Sequence, residues 1–249
     1  MNIVAIKTKK IVVGDKLEAI LDACVRDLHE EDVLVITSKI ISICEGRVVK
    51  NDGIVDKKKL IAQESDFYFE NDLTKRYGIT LTIKEKPVST LIANAGIDES
   101  NGNGYFILWP KDPFGTAASI WQMVRKKFRL NDLGILIADS NIVPLRWGTR
   151  GLAIAWCGFN ALKNYIGTPD IFGKNLRVTK QNIADNLASA ANLMMGEGAE
   201  QTPMAIIHDA PISFQDHPPT QTEIDAMSIS IKEDIYAPLL TGVEWKKGL

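Results

Sequence analysis

The feature that most constrains the fold is a set of short apolar runs, rich in β-branched residues, separated by helix-like segments at irregular intervals. The runs cover residues 3–6 (IVAI), 33–37 (VLVIT), 133–138 (LGILIA), 152–157 (LAIAWC) and 204–207 (MAII). Each run has the length of a buried strand. None approaches the 18 apolar residues that a membrane-spanning helix needs. The sequence therefore predicts a globular core built around buried strands.

Helical patterns interrupt these strands without a regular rhythm. Apolar residues recur at helical spacing in 17–28, 56–64, 113–128 and 180–195, with further strand-like segments at 47–49, 79–83, 88–92 and 105–108. Because strands and helices intermingle without strict strand-helix alternation, we predict an α+β fold with mixed sheets. We assign residues 1–208 to the main domain, as one unit or two interlocked subdomains. Residues 209–249 form a proline-containing C-terminal tail whose structure and role the pattern does not reveal.

Composition excludes several classes of function. The 29 basic and 31 acidic residues give a net charge of −2, which supplies no positive field for a nucleic acid. The three cysteines Cys24, Cys44 and Cys157 have no C-x-x-C spacing, so they predict neither a disulfide framework nor a zinc site. We expect a cytoplasmic protein with no membrane partner.

Acidic residues stand where predicted strands meet loops. Asp98 follows the apolar run 90–93, and Asp139-Ser140 follows the strand 133–138. Carboxylates and a hydroxyl at such places suit a hard divalent cation such as Mg²⁺ or Mn²⁺. The alternative is that both aspartates only shape turns, since Asp readily bonds to its own loop backbone.

The remaining motifs either have two possible interpretations or fail to match a known site pattern. Gly196-Glu197-Gly198, after the 180–195 helix, is either a plain helix end or a flexible loop whose amides approach phosphate. Residues 167–175 fail the phosphate-loop pattern by one position and end in Asn175. The histidines have no metal-ligand spacing, and no G-x-S-x-G is present, so no covalent protein nucleophile is expected. Five basic residues also have two interpretations, since they either contact phosphates or carboxylates or simply face water: Lys39, Arg47, Arg146, Arg150 and Arg177.

Taken in order, these segments resemble the coenzyme F-420-0 gamma-glutamyl ligase family. The resemblance runs over residues 11–208 and is carried by these stretches: Ile36-Thr37-Ser38-Lys39-Ile40-Ile41-Ser42, Glu45-Gly46-Arg47, Ala93-Asn94-Ala95-Gly96-Ile97-Asp98, Ser100-Asn101, Asp139-Ser140, Leu176-Arg177-Val178-Thr179, Ile183-Ala184-Asp185 and Met195-Gly196-Glu197.

The resemblance implies an activity and a set of site residues. The family uses the terminal phosphoryl group of a guanine nucleotide to activate a carboxylate as an acyl phosphate, which the amine of L-glutamate then attacks. Implied metal ligands are Asp98, Asp139, Ser140 and Glu197. Implied nucleotide contacts are Ser38, Asn101, Met195, Gly196, Glu197 and Gly198. An intertwined homodimer is implied as well.

The sequence also departs from the family at substrate-facing positions. Ile43 replaces a lysine, Thr8-Lys9-Lys10-Ile11 replaces a Leu-Pro pair, and an arginine is lost in Ser140-Asn141-Ile142-Val143-Pro144. Our hypothesis is a metal- and GTP- or ATP-dependent gamma-glutamyl ligase whose acceptor is the deazaflavin precursor or a folate-like carboxylate. The alternative is a catalytically silent nucleotide-binding or interaction protein derived from that family.

Overall fold

The computed structural model describes residues 1–249, and it confirms the predicted α+β class. The strands are β1 (Asn2–Ile6), β2 (Asp32–Thr37), β3 (Val48–Lys50), β4 (Phe67–Phe69), β5 (Leu81–Lys84), β6 (Thr90–Ala93), β7 (Tyr105–Ile107), β8 (Leu133–Ile142), β9 (Thr149–Cys157), β10 (Leu162–Asn164), β11 (Lys180–Asn182), β12 (Met204–His208) and β13 (Lys246–Lys247). The helices are α1 (Leu17–Cys24), α2 (Ser38–Glu45), α3 (Lys57–Glu64), α4 (Asp72–Arg76), α5 (Pro113–Phe128), α6 (Ile183–Met195), α7 (Gln221–Ala226) and α8 (Ala237–Leu240).

A five-stranded mixed sheet forms the centre of the molecule. Its strand order is β1-β12-β2-β8-β9. Strands β2 and β8 run parallel, and the other neighbours are antiparallel. The remaining strands form a four-stranded sheet, β13-β4-β5-β6, and two two-stranded ribbons, β3-β7 and β10-β11. No helix is long and apolar enough to cross a membrane.

Strand β2 shows why its sequence is apolar at nearly every position. Successive side chains point to opposite faces of a sheet. Leu34 and Ile36 belong to the cluster that α1, α2 and α5 cover, whereas Val33 and Val35 belong to the cluster covered by α6. All four side chains are fully buried. Helices therefore cover both faces of the central sheet, and one end of the sheet remains open to hold a site.

Helices α5 and α6 begin where their capping residues predict. The Asp112 side chain accepts a hydrogen bond from the Gly115 amide (2.9 Å), and Pro113 is the first residue of α5. The Asn182 side chain caps α6 in the same way. The predicted start of α6 at residue 180 was wrong, because Lys180–Asn182 pair with Leu162–Asn164 as β11 and β10.

The predicted end of β8 was also wrong. We placed Asp139 after the strand, but β8 continues to Ile142 and pairs with β9 from Thr149 onward. The backbone ladder extends past the apolar run 133–138, and a register shift between Ile137 and Ala138 accompanies the change to mostly polar side chains. Asp139 thus lies on a rigid hairpin rather than in a loop.

The C-terminal tail folds back onto the rest of the chain. β13 pairs with β4, and the Gly248 amide donates to the Asp66 carbonyl (2.8 Å). Closer to the main domain, the Gln215 amide donates to the Gly158 carbonyl (2.9 Å). Residues 209–249 therefore complete the second sheet instead of extending into solvent.

Candidate functional site

A cavity of about 610 Å³ opens at the end of the central sheet where β2 gives way to α2. The β8–β9 hairpin, the segment after β6 and the loop after α6 form its other walls. Eight of the nine site residues predicted from the sequence line it: Asp98, Asn101, Asp139, Ser140, Met195, Gly196, Glu197 and Gly198. Side chains from three distant stretches of the chain therefore meet at one cavity.

Asp98 is the most strongly bonded acid of the site. Its backbone N–H and C=O both bond to Ile107 (3.0 and 2.8 Å), which fixes the segment against β7. The Lys39 ammonium lies 2.5 Å from Asp98 Oδ2, and the Ser100 amide and hydroxyl donate to the carboxylate at 2.7 and 3.0 Å. Burial would raise the pKa of Asp98, but the charge and hydrogen bond of Lys39, together with Ser100, outweigh it and hold that pKa below its usual value.

Asp139 has the opposite electrostatic balance. Burial raises the pKa of its carboxyl to about 6, and this effect exceeds the hydrogen bonds that the Trp109 indole N–H and the Ser140 amide donate to the carboxylate. The negative charge of Asp98 raises the pKa of Asp139 further. The two carboxylates therefore interact across the cavity and leave an excess of negative charge at Asp139.

Glu197 and Ser140 complete the oxygen donors. The Asn192 amide and the Thr149 hydroxyl hold Glu197 Oε1 at 2.8 and 2.9 Å, which ties the loop after α6 to the start of β9. Ser140 is partly buried on β8, opposite Gly151 of β9. Its hydroxyl forms no hydrogen bond to another side chain or to the backbone. Carboxylate and hydroxyl oxygens are the ligand type that a hard cation prefers, but the oxygens of Asp98, Asp139 and Glu197 do not all lie within 4.8 Å of one another in this structure.

The loop from Gly196 to Gly198 is more than a plain helix end. The Gly196 amide does close α6 by donating to the Asn192 carbonyl (2.9 Å), and its backbone (φ 77°, ψ 174°) is open only to glycine. Two residues on, the Gly198 amide donates to the Glu200 carboxylate (2.8 Å), and the Asn101 side chain donates to the Gly198 carbonyl (3.0 Å). An amide of this loop thus already binds an anionic group at the cavity.

Ser38 lies beside the cavity rather than on its wall. It is the first residue of α2 and is only 3% exposed, whereas its neighbours Thr37 and Lys39 both line the cavity. The structure therefore does not bring Ser38, an implied nucleotide contact, to the cavity wall. Ile43, which replaces the lysine expected from the family resemblance, forms an apolar part of the wall.

Among the predicted basic residues, only Lys39 reaches the cavity. Arg47 is bound to Glu64 (2.7 Å) and to the Trp109 carbonyl (3.1 Å), so it supports the wall from behind. The arginines on the β8–β9 and β10–β11 segments face water in this structure, which is the simpler of the two interpretations given above. Arg146, Arg150 and Arg177 are exposed and lie outside the cavity lining.

Two cations at the cavity were not among the predicted site residues. Lys9 and Lys10 line the wall formed by residues 8–12. Lys9 is held by Asp15 (2.6 Å), while Lys10 forms no ion pair. The sequence carried a signal for them, because two adjacent lysines replace an apolar pair of the similar family. Trp109, by contrast, had no sequence signal, since its bond to Asp139 depends on the packing of two remote segments.

Comparison with known proteins supports one family. The family model described as F420-0:Gamma-glutamyl ligase matches residues 5–209. A coenzyme F420:L-glutamate ligase of Methanosarcina mazei is 33% identical over 220 residues, which cover 83% of this chain and 86% of that protein. The protein of the same name from Halorubrum lacusprofundi is 34% identical over 222 residues (82% and 84%). That from Methanococcus maripaludis strain C7 is 32% identical over 199 residues (76% and 80%).

Proposed function

Because this chain belongs to the F420-0:gamma-glutamyl ligase family, we propose that it joins L-glutamate to a carboxylate acceptor through an amide bond. The acceptor is coenzyme F420-0 or a folate-like compound, and GTP or ATP drives the reaction. The observation that carries the proposal is the convergence of Asp98, Asp139, Ser140 and Glu197 on one cavity beside the Gly196–Gly198 loop.

The proposed reaction has two steps. An oxygen of the acceptor carboxylate attacks the terminal phosphorus of the nucleotide, which yields an acyl phosphate and a nucleoside diphosphate. The neutral amine of glutamate then attacks the acyl carbon, inorganic phosphate leaves, and the nitrogen loses a proton. The products are an amide, a nucleoside diphosphate and phosphate. Neither step needs a protein nucleophile, so positioning and electrostatics supply the rate acceleration.

The chemistry of the donors suits a divalent cation, which would draw the oxygens of Asp98, Asp139 and Glu197 closer together than they lie in this structure. Burial and the charge of Asp98 keep the pKa of Asp139 at about 6, and a nearby cation would relieve that excess negative charge. Asp98, Asp139, Ser140 and Glu197 would hold Mg²⁺ or Mn²⁺. Such an ion, when bound, neutralises phosphate charge and keeps the attacking and leaving oxygens in line.

Residues of the chain itself supply the rest of the site. The Lys39 ammonium and the exposed cations Lys9 and Lys10 place positive charge along one wall, where they would attract the triphosphate. The Gly198 amide, now bonded to Glu200, would donate to a phosphate oxygen in the same direction. Ile43 gives an apolar surface that keeps water from the reactive acyl group.

The test is a direct assay of amide formation. The protein is incubated with GTP or ATP, Mg²⁺ or Mn²⁺, labelled glutamate and either coenzyme F420-0 or folate. Mass spectrometry then detects the amide while phosphate release is followed. Asp132→Asn is a matched control, because Asp132 is an exposed acid at the opposite end of β8. We expect amide from the wild type and from Asp132→Asn. Absence of amide and of acceptor-dependent phosphate release with every acceptor would refute the proposal.

A second candidate function has one observation in its favour. Ile43, an apolar side chain that is 5% exposed, occupies the cavity wall where the resemblance led us to expect a lysine. A protein that binds nucleotide without turnover would tolerate that loss. Calorimetry separates the candidates, since tight nucleotide binding combined with no turnover for any acceptor would favour the silent binding protein.

We also propose that the protein acts as a homodimer. Large apolar side chains at the tips of the β8–β9 and β10–β11 segments are almost fully exposed, namely Leu145, Trp147, Ile171 and Phe172. Large apolar side chains that are this exposed are the kind of group that a protein interface buries. Sedimentation velocity tests the proposal. The wild type should sediment as a dimer and the double variant Trp147→Glu, Phe172→Glu as a monomer, whereas a monomeric wild type would refute it.

A further inference from the structure

A second group of ligating side chains lies at the other end of the central sheet. His29, Asp32 and His208 each offer one ligand atom, and these atoms lie within 4.8 Å of one another. Asp32 begins β2, whereas Thr37, which ends it, lines the cavity. At a rise of roughly 3.3 Å per residue the two places are about 17 Å apart. The group is therefore separate from the proposed ligase site.

Strand pairing and one tight turn bring the three residues together. Val33 pairs with Ile207, so the antiparallel register sets His208 opposite Asp32, and His208 Nδ1 lies 2.7 Å from Asp32 Oδ1. His29 precedes β2, and its amide donates to Asp32 Oδ2 (2.7 Å). The His29 ring stands over the same carboxylate, with Nδ1 3.7 Å from Oδ2.

The orientation of His29 argues for a cation between these groups. Its Nε2 lies 3.2 Å from Asp27 Oδ1. When Nε2 donates its proton to Asp27, the Nδ1 lone pair faces the Asp32 carboxylate with no proton between them. A carboxylate behind an imidazole is also the arrangement that orients histidine ligands in metal sites.

We propose that His29, Asp32 and His208 bind a divalent transition-metal ion of the zinc class. Two imidazoles and one carboxylate suit Zn²⁺ better than Mg²⁺, which prefers oxygen ligands alone. Zinc bonds of about 2.0–2.1 Å place tetrahedral ligands about 3.4 Å apart. Binding would need two small adjustments: His208 Nδ1 and Asp32 Oδ1, now 2.7 Å apart, would separate, and the His29 ring, whose side chain is 65% exposed, would move inward. Its open side leaves room for water as a fourth ligand.

The consequence of binding would be structural. The ion would link the turn before β2 to the end of β12, which are joined at present by hydrogen bonds to one buried carboxylate. A ligand that binds only the folded state stabilises it by mass action. Zinc should therefore raise the melting temperature without any nucleotide present.

The test uses protein that carries Asp139→Asn, so that the cavity carboxylate does not contribute a second zinc site. Metal-free, untagged protein is titrated with Zn²⁺ against a chromophoric chelator. We expect one zinc ion per chain. We expect at least a tenfold loss of affinity when His29→Gln or His208→Gln is added. His217→Gln is the control, because His217 is exposed and its ring makes a hydrogen bond only with the Pro218 carbonyl.

Two further measurements distinguish the loss of a zinc ligand from unfolding of a variant and from zinc binding by cysteine. Circular dichroism checks the fold of each variant, and glutamine at position 208 can still donate a hydrogen bond to Asp32. Co²⁺ substitution should give visible d–d bands without the charge-transfer bands of a thiolate, since the free cysteines are not part of the group. Unchanged zinc affinity in the two histidine variants, no bound zinc in the parent, or a thiolate band would each overturn the proposal.

Discussion

Removing the charge of Asp139 should stabilise the metal-free protein while abolishing nucleotide binding that depends on metal. In the folded chain burial is the main cause that raises the pKa of this carboxyl from 3.8 to about 6. That rise corresponds to roughly 3 kcal/mol against the ionised form at pH 7. Asparagine removes this cost. Its amide group, however, offers one acceptor fewer to the Trp109 and Ser140 donors, which costs about 1–2 kcal/mol. The net expectation for Asp139→Asn is a gain of about 1–2 kcal/mol.

The pH dependence of the free energy of unfolding follows from the direction in which folding shifts the pKa of Asp139. A carboxyl whose pKa is raised on folding holds more protons in the folded state than in the unfolded state, so its contribution to stability falls as pH rises from about 4 to about 6. Asparagine does not titrate. The stability difference between Asp139→Asn and wild type should therefore grow across that window and stay constant above about pH 7. Lys39 and Asp98 are the charged groups that act on Asp139, and both are present in the two proteins.

The assay is urea unfolding in chelator between about pH 4 and 8, repeated with Mg²⁺ and nucleotide. Asp132→Asn serves as the control for loss of an exposed charge just before the same strand. The wild type should gain stability from Mg²⁺ with nucleotide, and Asp139→Asn should not. The reasoning would be refuted if Asp139→Asn were less stable than wild type at pH 7 in chelator, or if it kept the full response to Mg²⁺ and nucleotide.

Three further substitutions test how the sheet and α6 support the site, each by urea unfolding. Gly151→Ala would set a methyl group 2.2 Å from the Ala188 carbonyl oxygen. We expect the free energy of unfolding to fall by about 1–3 kcal/mol, and we expect a displaced α6 to weaken nucleotide binding. Wild-type stability would show that α6 moves freely. Trp121→Phe removes the indole N–H that donates to the buried Leu133 carbonyl (2.8 Å) and should lower the free energy of unfolding by about 1–3 kcal/mol. A loss below a few tenths of a kcal/mol would mean that another donor replaces the indole. Asn182→Ala removes the N-cap of α6 and should lower the free energy of unfolding by about 1 kcal/mol. Asn182→Ser should restore most of that stability, because serine also caps helices. Equal losses in both variants would argue against capping.

Much of the central sheet was predictable because its strands are buried on both faces. The apolar runs at 33–37, 133–138 and 204–207 correspond to β2, β8 and β12 within a few residues. Helix α2 was not predicted, since its sequence SKIISICE is rich in isoleucine and resembles a strand. Its helical form depends on the Thr37 side chain at its start and on Gly46 in the left-handed region at its end.

The candidate site was predictable where chemistry and order along the chain carried the signal. The acidic residues and the Gly196–Gly198 loop have conspicuous sequences, and the family they resemble is confirmed by the match over residues 5–209. The bond from Trp109 to Asp139 and the meeting of His29 with His208 were not predictable. Both depend on strand register and packing between segments far apart in the chain.

The pairing register of β2 determines both the fold and the positions of the two proposed sites. Strand β2 is apolar on both faces, so a slip of one residue against β8 would exchange one apolar set for another and would cost little in burial alone. Its polar ends remove that freedom. Asp32 meets His208 only in the present register of β2 against β12, and the present register against β8, in which Thr37 pairs with Ala138, places Asp139 at the cavity. The residues that hold ligands in our proposals therefore also select the register that the apolar core leaves undetermined.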